Sequence, residues 1–218
     1  MKLYKRKIYF FKKNSLFDNL LNSLIPVLLI NWFLQGIRGM GFSEFLFRIL
    51  FETILIIFFY FVIEFNLFFS LIISHTVLWI FFYQFWCIIR YFPFYNNDIK
   101  KMNKICKKLI RKIQRSEYLD EAAIIGSISR QKHIRIEKMR SDLDIKIFIS
   151  NRFLSFFTTN FFMYYLRFYS FFVKFPLDIN VYDNFNVFKK IAKKDKILII
   201  LDKKNKIHNY LKRNEIKF

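Results

Sequence analysis

The chain has 218 residues, enough for one modest domain with an attached element but not for two large domains. Its 32 phenylalanines and mean hydropathy of +0.21, beside 24% charged residues, describe a hydrophobic block joined to a charged one. A net charge of +21 points an exposed surface toward nucleic acid or an anionic membrane, and two cysteines exclude a disulfide framework or a thiolate metal site. Lys, Asn, Ile and Phe are abundant together, as AT-rich coding produces, so part of the basicity carries no functional meaning.

Residues 1–13 are basic and aromatic, and no small-residue cleavage site follows a short apolar run, so they are not read as a signal peptide. Residues 16–34 are moderately apolar but interrupted by Asp18, Asn19, Asn22, Pro26 and Asn31. They predict a helix lying in a membrane interface, with a third span as the competitor. Gly36, Gly39 and Gly41 mark a turn. Segments 45–63 and 67–91 each approach the ~20 apolar residues that cross a bilayer, and only Glu64, Phe65 and Asn66 separate them. The expectation is a transmembrane helical hairpin over 42–92, following a basic N-terminal region over 1–41. Cations before residue 14 and at Arg90, Lys100 and Lys101 place both flanks on the cytoplasmic face. His75, Trp79 and Gln84 form a polar stripe within the second segment, suited to helix packing.

Pro93 ends that segment, and 98–115 predicts an amphipathic connecting helix. Ile99, Met102, Ile105, Leu109 and Ile113 share one face and lysines and arginines cover the rest. Such a helix suits an anionic headgroup layer or, equally, a solvated basic linker.

The remaining residues, 116–218, hold the chemistry. Ala122-Ala123-Ile124-Ile125 predicts a buried strand that ends in Gly126-Ser127, a small turn with backbone N–H groups and a hydroxyl to offer a phosphate. Residues 142–149 predict a second strand with Asp142, Asp144 and Lys146 on one face and Leu143, Ile145 and Ile147 on the other. Residues 177–182 predict a third, with Asp178, Asn180 and Tyr182 opposite Leu177, Ile179 and Val181. Crowded carboxylates repel one another, and Mg²⁺ relieves that repulsion while accepting phosphate oxygens; a pair of such ions suits phosphoryl displacement.

The order of apolar strand, Gly-Ser, Asp-x-Asp strand and single-Asp strand resembles the signature of the DNA-polymerase-β-like nucleotidyltransferases over residues 116–183. The resemblance implies an α/β core with a mixed sheet and flanking helices. It also implies transfer of a nucleoside monophosphate from an NTP, with release of pyrophosphate. Carried over, Gly126 and Ser127 hold the triphosphate, and Asp142 and Asp144 hold two Mg²⁺ ions, with Mn²⁺ as a substitute. Asp178 completes the metal site and positions the acceptor hydroxyl. Ser129 and Arg130 sit where such proteins place groups that touch the outgoing phosphates. The segment between Gly-Ser and Asp-x-Asp is longer than in compact members and carries Arg130, Lys132, His133, Arg135, Lys138 and Arg140.

Residues 153–173 are apolar with Arg167 in the middle, yet a crossing there would put Asp144 and Asp178 on opposite sides of a bilayer. The expectation is a helix on the sheet, with Phe157, Tyr164 and Phe168 on an outer face that meets the membrane surface or the anchor. Ile197–Leu201 predicts an edge strand, followed by a polar tail or short helix. The leading expectation is a nucleotidyltransferase whose catalytic domain lies on the cytoplasmic face, acting on a hydroxyl or phosphate acceptor, such as a lipid-linked one. The runners-up are an enzyme that adenylylates a protein and a non-catalytic basic membrane protein. The absence of a nucleic-acid module in the sequence weighs against a nucleic-acid ligand.

Overall fold

The computed structural model describes residues 24–34, 39–83, 85–90, 95–129, 136, 141–149, 153–191 and 196–214. The described chain opens with α1 (Leu24–Leu34), α2 (Phe42–Phe61) and α3 (Leu67–Val77), with α3 running into a π-helical turn, Leu78–Phe82. Then come α4 (Phe85–Ile89), α5 (Ile99–Gln114), β1 (Glu121–Ile125), β2 (Leu143–Phe148), α6 (Phe153–Phe172), β3 (Leu177–Tyr182), α7 (Val187–Ile191), β4 (Leu198–Asp202) and α8 (Lys206–Arg213).

The four strands form one mixed sheet in the order β3-β2-β1-β4. β1 runs antiparallel to both β2 and β4, and β2 runs parallel to β3. The alternation read from the sequence holds. Leu143, Ile145, Ile147, Leu177, Ile179 and Val181 face one core, shared with α5, α6 and the start of α2. Ala123, Ile125 and Phe148 face a second, smaller core closed by Phe188, Ile207 and Leu211. The chain is therefore α/β, with helices flanking a four-stranded mixed sheet.

α5 is capped by Asp98, whose side chain accepts from the Lys100 N–H at 2.9 Å. Met102, Ile105, Cys106, Leu109, Ile110 and Ile113 are buried beneath it. Its apolar stripe is thus taken up by the protein core and is not available to a headgroup layer; Ile99 alone of the expected face is exposed. The interior draws on residues N-terminal to 116 as well.

The two expected spans require a correction. Among the described residues no helix is long and apolar enough to cross a membrane. α2 carries Glu44, Arg48 and Glu52, and its first turns are taken by protein. The second segment is divided into α3, the π turn and α4. α1 lies within the expected interfacial helix, whose residues 16–23 are outside the described residues, and packs on this assembly. The Trp32 indole donates to the Thr76 hydroxyl at 3.1 Å and the Trp79 indole to the Asn31 amide oxygen at 2.8 Å. The stripe expected at His75 and Trp79 is a packing seam between helices. Gln84, Pro93 and the basic residues 1–13 lie outside the described residues.

The start of α2 closes the outer edge of β3, an edge strand that would otherwise present unpaired backbone groups. Gly41 N–H donates to the Val181 carbonyl at 3.0 Å, and the Glu44 carboxylate accepts from the Val181 N–H at 2.8 Å. A Cβ on Gly41 would stand 2.3 Å from the Val181 carbonyl oxygen and 2.8 Å from the Tyr182 Cα, so only glycine allows this approach. Gly41→Ala is expected to push α2 off the strand and cost about 1–3 kcal/mol, read as a fall in urea midpoint. An unchanged midpoint would mean that the α2 junction contributes nothing to stability.

α6 lies on the sheet as expected, and Phe157, Tyr164 and Phe168 meet the segment expected to be the anchor, through Phe47 of α2 and Phe82 of the π turn. Tyr164 is buried and Phe157 is half-buried against Phe47, whereas Phe153, Leu154, Phe161, Tyr165, Phe168 and Phe172 form the exposed side. An aromatic-rich helix gives no apolar-to-polar contrast by which the inward face can be read.

Candidate active site

The three motif segments meet at one end of the sheet. Ile125 of β1 is the register partner of Asp144, and Asp144 of β2 is the register partner of Asp178 on β3. The C-terminal end of antiparallel β1 and the N-terminal ends of β2 and β3 therefore share an edge. The Gly-Ser turn, the Asp-x-Asp pair and the single Asp are neighbours there, although they span residues 126 to 178. Gly126 adopts φ +82°, a left-handed conformation that glycine accepts without strain, and the side chain of Asp144 lies beside it.

Each carboxylate has a partner. The Arg90 guanidinium, delivered by the turn after α4 and almost wholly buried, lies 2.5 Å from Asp142. The Lys146 ammonium is 3.0 Å from Asp144 and lies over the Tyr182 ring. The Asn180 amide donates to Asp178 at 2.7 Å. Asn180 is held in turn: its amide oxygen accepts from Arg167 at 3.3 Å, and Arg167 pairs with Glu44 at 2.7 Å. A buried chain Glu44–Arg167–Asn180–Asp178 thus links the start of α2 to the site. Arg167 also donates to the backbone carbonyls of Ile179 and Phe82.

The electrostatics are those of a negative cluster short of positive charge. Burial, then the neighbouring Asp178, push the Asp144 carboxyl up to about 7 despite Lys146. Burial alone would lower the Lys146 ammonium, but Asp178 and Asp144 more than offset it and raise its pKa. Burial raises the Cys87 thiol well above its ordinary value, which disfavours its thiolate beside these carboxylates.

Of the residues singled out in the sequence, Asp142, Asp144, Asp178, Gly126 and Ser127 are brought together. Ser127 is exposed at the turn. Ser129 is buried, and its hydroxyl donates between the carbonyls of Gly126 (2.9 Å) and Lys196 (2.7 Å). It closes the turn and ties it to the chain entering β4, which makes it a structural residue here rather than a phosphate ligand. Arg130 and the basic residues through Arg140 lie outside the described residues. Within that stretch, Ile136 is buried and exchanges two hydrogen bonds with the Asn103 side chain.

Three residues were not picked out as site residues. Lys146 and Asn180 continue the polar alternation of β2 and β3, a signal available in the sequence. Arg90 reaches Asp142 across 52 positions, and no local pattern announces that contact.

Among the described residues, no three His, Cys, Asp or Glu side chains converge closely enough to hold a metal ion. Asp144 and Asp178 are directly opposite on adjacent strands, Asp142 stands two residues before Asp144, and burial first, then Asp178, raises the Asp144 pKa. No family model matches the chain, and neither a curated protein nor a solved structure matches it.

Proposed function

We propose that the chain is a metal-dependent nucleotidyltransferase that works at a membrane surface. It would transfer a nucleoside monophosphate from an NTP to a hydroxyl or phosphate acceptor, such as a lipid-linked one. The observation that carries this reading is the register pairing of Asp144 with Asp178 beside the Gly126 turn. It supports one site built from three motif segments that are distant in sequence.

Asp142, Asp144 and Asp178 would hold Mg²⁺, or Mn²⁺ in its place, which when bound neutralises phosphate charge as a Lewis acid. The backbone N–H groups after Gly126, with the Ser127 hydroxyl, would cradle the triphosphate. Asp178, aligned by Asn180, would orient the acceptor hydroxyl and take its proton. Arg90 and Lys146 limit the repulsion among the carboxylates and offer cations to the phosphates. Of these two, Arg90 suits the leaving pyrophosphate, because its guanidinium can engage two phosphate oxygens at once.

Pyrophosphate release by the detergent-purified chain tests this reading, with Mg²⁺, each NTP and a total lipid extract. Release that needs one NTP and the extract is expected. Arg90→Lys should lower the rate about tenfold or more by losing the bidentate contact. A rate untouched by Arg90→Lys would remove Arg90 from the site.

One observation favours a second, non-catalytic reading: Arg90 and Lys146 already pair with Asp142 and Asp144. On that reading the cations stand permanently where a metal would act. Mg²⁺ would then leave the stability of the protein unchanged with or without NTP.

A further inference from the structure

The hairpin formed by α2 and α3 has two unlike halves. At its base α2 is protein-bound: Glu44 and Phe47 are buried, and Phe47 packs against Phe156, Phe161 and Tyr164 of α6. A polar and aromatic layer follows. The His75 ring lies 2.7 Å from Glu52 and 2.9 Å from the Trp32 carbonyl, with the Trp32 and Trp79 indoles tied to Thr76 and Asn31. Beyond that layer, from Thr53 to Ile72, the only ionisable side chains are Tyr60 and, at the turn, Glu64. The two helices meet there through Ser70, a fully buried small residue, so their large apolar side chains point outward. Ile54, Ile57, Phe61, Val62, Phe68 and Leu71 are between 44% and 71% exposed.

We infer that this tip enters one leaflet of a lipid bilayer, with the indole-bearing layer at its base seated at the headgroups, and does not cross to the other side. This deepens the membrane part of the proposed function and does not depend on the catalytic part. Three observations favour lipid over a protein partner and one leaflet over two. The tip is apolar on the outward sides of both helices, whereas a protein groove covers one face of a helix. The indoles gather at the level where the apolar surface begins, as at membrane interfaces. From Glu52 to Phe61, its last residue, the helix rises only about 14 Å, roughly half of a ~30 Å hydrocarbon core. The earlier turns are bound to β3 and α6 on one side, where Glu44 and Arg48 are buried, and keep Leu46, Ile49 and Leu50 exposed on the other. The turn then reaches the middle of the bilayer, with Glu64 its one acidic side chain.

The test uses the full chain with vesicles of phosphatidylcholine and phosphatidylglycerol. The expected result is co-flotation, weakened about a hundredfold by Phe61→Asp and again by Phe68→Asp, with helical circular dichroism retained. Glu64→Gln should strengthen flotation. In sealed vesicles a cysteine at Phe65→Cys should resist impermeant maleimide from both sides, above the background of the native Cys87 and Cys106. A fluorophore placed there should be quenched most by lipids labelled near the acyl-chain ends. Labelling from the far side would overturn the one-leaflet inference while leaving membrane attachment intact. Failure of the wild-type chain to float, or protection of the cysteine without lipid through self-association, would overturn both. Neither outcome bears on pyrophosphate release.

Discussion

Glu44→Ala is expected to destabilise the protein by about 3–5 kcal/mol, more than any other single substitution in the α2 junction. Glu44 and Arg167 are an ion pair almost wholly removed from water, and removing one partner leaves the other charge buried. The same change also strips the Val181 N–H of its acceptor, which adds to the cost. Glu44→Gln keeps an acceptor for that N–H and should lose less. The double substitution Glu44→Leu/Arg167→Met replaces the pair by apolar volume and should recover much of the stability. It should not recover function, because Asn180 would lose the guanidinium that orients its amide toward Asp178. Urea unfolding and turnover, measured on the three variants, check this separation. A double variant that regained both stability and turnover would show Glu44 and Arg167 to be packing residues only.

Asp144→Asn is expected to abolish nucleotidyl transfer, by about 10³-fold or more, and yet to stabilise the metal-free protein at alkaline pH. The second effect follows from linkage. The Asp144 carboxyl is raised to about 7 in the folded chain from an ordinary value of 3.8. Its ionisation therefore opposes folding: the relative stability it confers is present below pH ~4 and is lost as pH rises through ~7. At pH 8 the substitution should gain ~2–4 kcal/mol, and at pH 4 almost nothing. Unfolding in the presence of a chelator at the two pH values decides it. An equal effect at both would mean that burial and Asp178 do not penalise the Asp144 charge in the folded protein. A gain in stability on removing a carboxylate is what a site kept for function, at the expense of stability, should show.

The sheet was legible in the sequence because period-two alternation in β2 and β3 separates Leu143, Ile145, Ile147, Leu177, Ile179 and Val181 from their polar neighbours. Their register follows from the same pattern, since a one-residue slip would bury Asp144 and Asp178 in the main core. The helices were less legible. In α2, Glu44 and Arg48 interrupt an apolar run, and those interruptions mark the turns buried against β3 and α6. The single Arg167 stood out within an apolar helix, but nothing local identified Glu44, 123 positions away, as its partner. In α6 phenylalanine occupies both faces, so the sequence left open whether Phe157, Tyr164 and Phe168 meet membrane or hairpin; they meet Phe47 and Phe82. At the site, the alternation disclosed the three aspartates and, in retrospect, Lys146 and Asn180. Arg90 and the turn-closing role of Ser129 arise from tertiary contacts with no sequence period.

The most direct test of the central claim needs no acceptor: thermal unfolding of the detergent-purified chain with each NTP, with and without Mg²⁺, beside Asp144→Asn. For the wild type, one NTP with Mg²⁺ at about a hundred times its Kd should stabilise by about 2.7 kcal/mol, or roughly 5–10 °C in Tm. Neither Mg²⁺ nor NTP alone should match this, and Asp144→Asn should show no such shift. A wild-type Tm indifferent to every Mg²⁺–NTP pair, or an equal shift in Asp144→Asn, would contradict the account.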